Sequence, residues 1–259
     1  MDALFAALAP LAGLASAEAG VVAAVFARIS GLVFLLPGIG EQAVSVRVRL
    51  AVAIAMTLVI YPAVRTDELL DGSLVEYTGA IGREAIVGLA IGLSFRLTIF
   101  VLQLAGTIIA QNTSISQLFG QSVASDTQTP ISALLTMAGI ALALALGVHI
   151  EAVKVAIASY GMIPLGEGLP LRSFAVWLSE QGGDVFRLAL SLSGPFIALG
   201  IGYNLIIGAA NRAMPQLMVA FVGAPAITGA GLILLTLSVV FILDRWRLAT
   251  GGFIEFFSP

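Results

Sequence analysis

Apolar residues in this chain fall in long blocks rather than in alternation with polar ones. The blocks lie at about 19–38, 46–64, 84–110, 130–150, 186–211 and 213–243. Each is close to the roughly 20 residues a helix needs to cross the hydrocarbon core of a bilayer. A shorter apolar stretch, 152–166, is flanked by Glu151 and Lys154. No segment shows the period-two pattern of a half-buried strand, and no solenoid repeat is visible. The pattern predicts an all-α integral membrane protein of about six apolar helices, organised as a single membrane domain over 1–259. Polar connections are expected at 39–45, 65–83, 111–129 and 164–185. Of these, 65–83 is the most charged, with Arg65, Asp67, Glu68, Asp71, Glu76 and Arg83.

Punctuation inside the blocks predicts that some helices are broken or paired as hairpins. Pro37, Gly38 and Gly40 end the first block, Pro195 falls in the fifth, and Pro215, Gly223 and Pro225 interrupt the last. Proline removes a helical hydrogen bond and bends the chain, which a membrane tolerates only where protein or a wet cavity satisfies the freed groups. Small residues add to this. Gly88 and Gly92 form a G-x-x-x-G step, and Gly194, Ala198 and Gly202 repeat it. Such faces let helix backbones approach closely, and packing within the chain is the favoured use of any one of them. Near the start, residues 3–14 are apolar and Ala15-Ser16-Ala17 resembles a signal-peptidase site. The absence of Lys or Arg before it, with Pro10 and Gly13 breaking the stretch, favours an uncleaved amphiphilic lead-in.

Charge sharpens the picture and then complicates it. The chain is 59% hydrophobic and 10% charged, with a mean hydropathy of +1.06. Soluble domains carry about 25% charged residues, so most of this surface must face lipid or protein. A net charge of −3 with no basic block argues against nucleic acid. Positive residues ordinarily mark cytoplasmic loops. Arg47 and Arg49 would place 39–49 in the cytoplasm, yet counting onward leaves Arg245 and Arg247 outside. That conflict again points to hairpins or half-helices packed on protein. Trp246, between those two arginines, is expected at a headgroup boundary.

Candidate chemistry is sparse. The chain has no Cys, one His and no acidic cluster at ligand spacing, so no metal site is expected. No phosphate-binding loop or other cofactor motif is present. Ser94 and His149 are the only pair that suggests a protease, and a lone helical Ser more often bonds a carbonyl one turn back. Arg28, Arg96 and Glu151 stand in or beside apolar blocks, where charges are expensive. They are open to two readings: an ion relay, or anchors that fix helix positions. Glu151 and Lys154 are spaced to pair on one helix face.

Three stretches together resemble the FliR family of flagellar export-gate proteins. They are "FARISGLVFLLPGIGEQAVSVRVRLAVAIAMTLVIYP" at 26–62, "LGVHIEAVKVAIASYGMIPLG" at 146–166 and "NLIIGAANRAMPQLMVAFVGAPAITGAGL" at 204–232. The N-R-x-x-P-Q-L pattern in the third is the most specific, and the similarity covers roughly 10–245. The resemblance implies a non-enzymatic subunit of a bacterial type III export gate in the inner membrane, at the flagellar basal body. It implies FliP-like and FliQ-like gate subunits, FlhB-like and FlhA-like export proteins and unfolded flagellar proteins as partners, and no cofactor.

The resemblance also gives the polar stretch "QNTSISQLFGQSVASDTQTP" at 111–130 a role, as a loop that helps close the pore. Gln111, Asn112, Gln117, Leu118, Phe119 and Gly120 are the residues implied. An uncharged, amide-rich surface with an apolar constriction would neither grip a passing chain nor admit ions at rest. The family's usual Asp-Pro pair is replaced here by "GQSVASD". Arg28, Pro37, Arg47, Arg49, Gly88, Gly92, Asn211, Arg212, Pro215 and Gln216 are expected to serve structure and assembly. The alternatives are an injectisome counterpart and a small ion-coupled transporter.

Overall fold

The computed structural model describes residues 2–64, 74–113, 129–213 and 219–257, which are mostly helical with short turns between the helices. The α-helices are α1 (Asp2–Leu35), α2 (Val46–Ile60), α3 (Leu74–Thr113), α4 (Pro130–Ala145), α5 (Val148–Met162), α6 (Leu171–Ala213) and α7 (Val219–Ala249). Short 3-10 helices follow α2 at Tyr61–Ala63 and α7 at Thr250–Phe257. Five stretches are long and apolar enough to cross a membrane: Glu18–Leu35, Val46–Ala63, Glu76–Thr113, Leu171–Ala213 and Pro225–Phe253. The pair α4 and α5, bent at a short break, supplies a sixth if counted as one span. The six blocks of the sequence therefore reappear, one of them broken.

Local chemistry explains the punctuation. Gly38 at φ 84° turns the chain after α1, where Gly40 N–H donates to Leu36 O at 2.7 Å. Ser45 caps α2 by accepting from Val48 N–H at 3.4 Å. Gly147 at φ 81° separates α4 from α5, and Gly166 at φ 81° turns the chain between α5 and α6.

The helices are longer than the apolar blocks. α3 begins at Leu74, inside the expected 65–83 linker, and α6 begins at Leu171, inside 164–185. Polar residues do not stop a helix where no proline falls among them and helix formers are frequent, as in the first turns of α3 and α6. α1 likewise runs through Pro10 and Gly13, α6 through Pro195 and α7 through Pro225. The 43 residues of α6 extend about 65 Å at 1.5 Å per residue, against a hydrocarbon core of about 30 Å. The helix is therefore longer than one crossing of the core requires.

The chain forms two compact units, interleaved in sequence. The first comprises Met1–Arg96, Leu144–Leu178 and Phe253–Pro259. Its core is an α1 face of Val21, Val25, Ile29 and Leu32, with Leu36 just past the helix end, packed with Val87, Ile91 and Phe95 of α3 and Val155 of α5. α1 and α3 cross at glycine. A Cβ on Gly31 would lie 2.6 Å from Ala85 O, one on Gly92 2.8 Å from Leu32 O, and one on Gly88 inside the Arg28 carbonyl. The Gly88–Gly92 step thus packs within the chain. Phe174, Trp177, Phe256 and Phe257 close this unit as an aromatic cluster, with Phe256 and Phe257 at 4.9 Å between ring centroids.

The second unit comprises Leu97–Ala143 and Ser179–Gly252. Trp246 is buried in it, 2% exposed, and its Nε1–H donates to Thr98 O at 2.7 Å. The indole thus packs against α3. Gly106 meets the Ser132 backbone, and Ser132 Oγ donates to Gln103 O at 2.9 Å, so α3 and α4 pack closely. A Cβ on Gly194 or Gly202 would find nothing within 4 Å, so among the described residues no neighbour packs on that small-residue face at these glycines.

Candidate functional site

Two places in the fold concentrate polar side chains: a buried node in the first unit and the base of the 114–128 segment in the second. The node is built on Arg28. Its position on the core face of α1 forces its guanidinium inward, and both it and Glu84 of α3 have no exposed side-chain surface. Arg28 Nε donates to Glu84 Oε2 at 2.5 Å and Nη2 to Glu84 Oε1 at 3.0 Å, a two-pronged ion pair. Nη1 donates to Ser159 Oγ at 3.0 Å and Nη2 to Ile163 O at 3.0 Å. The Tyr160 ring lies 3.7 Å from the guanidinium carbon, covering its face.

The node also fixes the turn after α5. Gly166 N–H donates to Glu84 Oε1 at 2.8 Å, and Arg83 Nε donates to Gly166 O at 2.7 Å. Two consecutive residues of α3 thereby hold both sides of one glycine. Four donors of Arg28 are engaged and water is excluded, so an arginine that does not deprotonate in proteins has no means to relay protons. Arg96 has its own partner, Glu41. Glu151 pairs with Lys154 at 3.3 Å as its spacing suggested. Arg28 and Arg96 are thus each paired with a glutamate on another segment, Glu84 and Glu41.

The protease pair does not form. Ser94 Oγ donates to Ala90 O at 3.1 Å, one turn back, and His149 is exposed at the start of α5. Glu84, Ser159, Tyr160 and Arg83 belong to the node and were not singled out by the sequence. Glu84 carried a usable signal: it stands at i and Gly88 and Ile91 at i+4 and i+7, so the core face of α3 includes a carboxylate.

At the second place, α3 reaches Thr113 before the described residues stop. Gln111 is exposed and Asn112 half-buried. Asn112 Nδ2 donates to Ile108 O at 2.8 Å, and a Cβ on Gly200 of α6 would come within 2.8 Å of Asn112 Oδ1. Thr113 Oγ1 donates to Ile109 O at 2.7 Å, while Thr113 O accepts from Thr228 Oγ1 of α7 at 3.3 Å. Across the gap, Thr129 Oγ1 accepts from Ser132 N–H at 3.3 Å at the start of α4. The ends of the segment are thus tied to α4, α6 and α7. Gln117, Leu118, Phe119 and Gly120 lie outside the described residues, as do Pro215 and Gln216.

The remaining assembly candidates divide by exposure. Pro37 is buried in the turn after α1, and Arg49 donates to Val44 O from Nε at 3.1 Å and Nη2 at 2.9 Å. Arg47, Asn211 and Arg212 are exposed. Among the described residues no group of three or more His, Asp or Glu is placed to hold a metal ion.

Known proteins agree with this picture over nearly all of the chain. Residues 19–251 match the family described as bacterial export proteins, family 1. The chain is 33% identical over 230 residues to the flagellar biosynthetic protein FliR of Caulobacter vibrioides, covering 87% of this chain and 91% of the relative. It is 27% identical over 210 residues to FliR of Escherichia coli, 80% of each. It is 28% identical over 222 residues to FliR of Aquifex aeolicus, 83% of each.

Proposed function

The chain belongs to bacterial export proteins, family 1, and on that premise we propose that it forms and seals part of the conduit for unfolded flagellar proteins. It is a multi-pass helical protein of the inner membrane and a non-enzymatic member of the flagellar export apparatus. The observation that carries the reading is the match over 19–251, with relatives of flagellar name aligned along 80% or more of both chains. Those names favour the flagellar apparatus over an injectisome.

Within that apparatus the proposed neighbours are FliP-like and FliQ-like gate subunits and FlhB-like and FlhA-like export proteins, with 1–259 acting as one domain. Large apolar side chains face outward on α2 and α7, among them Leu58 at 68% and Leu237 at 76% exposure. Such faces suit lipid or partner helices. Arg28, Pro37, Arg49, Gly88 and Gly92 shape the subunit. Arg47, Asn211 and Arg212, exposed, are assigned to partners together with Pro215 and Gln216.

The loop from Gln111 through Asn112, Gln117, Leu118, Phe119 and Gly120 is assigned to pore closure. Its anchored ends support this, because a seal needs a fixed frame. The test is the double variant Leu118→Asp, Phe119→Asp, expressed in place of the native chain. A sealing loop predicts lost secretion of flagellar proteins or a measurable ion leak across the inner membrane. Secretion and membrane potential both at native levels would refute the assignment.

A further inference from the structure

Phe174 and Trp177 stand three residues apart near the start of α6, a spacing that puts both rings on one face of the helix. Their centroids lie 5.5 Å apart, with 28° between the ring planes. The 3-10 helix Thr250–Phe257 brings the pattern F-x-x-F-F, Phe253, Phe256 and Phe257, to the same unit. Between centroids, Phe256 is 5.6 Å from Phe174 and 5.3 Å from Trp177. Phe257 is 6.2 Å and 6.4 Å from the same two rings. Phe253 and Phe257 are buried, and Phe257 joins the core of the unit, which favours the seated state.

The ground beneath this contact is fixed by bonds made without the aromatic segment. Ile163 O accepts from Arg28, and Gly166 is held on both sides by Glu84 and Arg83. α6 then opens with Phe174 N–H donating to Pro170 O at 3.0 Å. The polar ties of α1 and α3 thus set the turn that presents Phe174 and Trp177. The segment that covers those rings is the opposite case. Its eight residues of 3-10 helix exceed the usual run of such helices and are too few to stand alone in water. Its shape therefore depends on the face it rests on. Apolar anchors at i, i+3 and i+4 are also how an amphipathic helix lies in a groove.

We propose that residues 253–257 are a latch, seated on the Phe174–Trp177 face as a ligand seats in a groove, and able to leave and reseat without unfolding the unit beneath. The latch covers or bares an aromatic face while the Arg28 node stays closed. It goes beyond the export reading and does not rest on it.

The chain has two tryptophans. Trp177 lies in the seat, and Trp246, buried in the second unit, is an internal control. Fluorine NMR of the fluorotryptophan-labelled full chain in lipid nanodiscs reads both at once. Phe256→Ala with Phe257→Ala is expected to shift the Trp177 signal and open it to a soluble paramagnetic agent, with Trp246 unmoved. A peptide of residues 247–259, in large excess, is expected to return the variant's Trp177 signal towards its native position. The same peptide with both phenylalanines replaced by alanine is expected to leave it shifted. An unmoved Trp177 signal in the variant would overturn the latch. Displacement of both tryptophan signals would do so too, because the segment would then be inseparable from the fold. A variant that the native peptide fails to restore, or that the alanine peptide restores equally, would also overturn it.

Discussion

Arg28 brings a charge into the middle of an apolar helix, and its effect depends wholly on Glu84. A buried ion pair contributes little beyond an apolar substitute, but removing one partner leaves an uncompensated charge and costs about 3–5 kcal/mol. Glu84→Gln, which keeps the shape and drops the charge, is therefore expected to destabilise the first unit by about that amount. Thermal unfolding in mild detergent reads it, as does the level of chain in membranes. Arg28→Lys is expected to fail as well, since an ammonium cannot bridge both carboxylate oxygens while also reaching Ser159 and Ile163 O. Full stability in both variants would contradict the node. At this scale the sequence exposed Arg28, because a lone arginine in an apolar block is conspicuous. Glu84 was less conspicuous: its spacing to Gly88 and Ile91 was a usable signal, but it sits at the edge of a block beside Arg83 and reads first as the end of a solvated linker. Only the fold turns that edge inward.

Helices were legible as apolar blocks, and their boundaries were not. Leu74 and Leu171 begin helices that the polar residues after them disguised. Hydropathy measures lipid compatibility, whereas helices as long as α3 and α6 extend beyond lipid. Proline misled for a related reason, since α6 and α7 continue through Pro195 and Pro225. The G-x-x-x-G steps could be found in sequence but not sorted, because spacing alone does not say which face meets a neighbour. Sorting them yields a contrast. Gly88→Ala places a methyl against the Arg28 backbone and is expected to cost about 1–3 kcal/mol through overpacking. Gly202→Ala meets open space and is expected to leave the isolated chain as stable or up to about 1 kcal/mol more so, from helix propensity. Equal effects in denaturant unfolding would mean that the α1–α3 crossing is looser than described.

For the whole molecule, a few buried polar groups make internal ties while many large apolar side chains face outward. Arg28, Glu84, Ser159 and the Gly166 turn close one unit, while Trp246, Ser132 and Thr228 bond backbone carbonyls in the other. The family match gives the chain a place in an export apparatus. The role in the gate itself was legible only through three separated motifs in register. The loop proposed to seal the pore is polar with a single charge, Asp126, a composition compatible with many surface loops, so its proposed function rests on context. The account stands on the chain acting as one member of an assembly. The measurement that meets it most directly is mild-detergent purification of the tagged full-length chain from cells expressing its gene cluster, followed by mass spectrometry. Stoichiometric recovery of FliP-like and FliQ-like membrane proteins is predicted. A folded, monodisperse chain recovered without partners would contradict it.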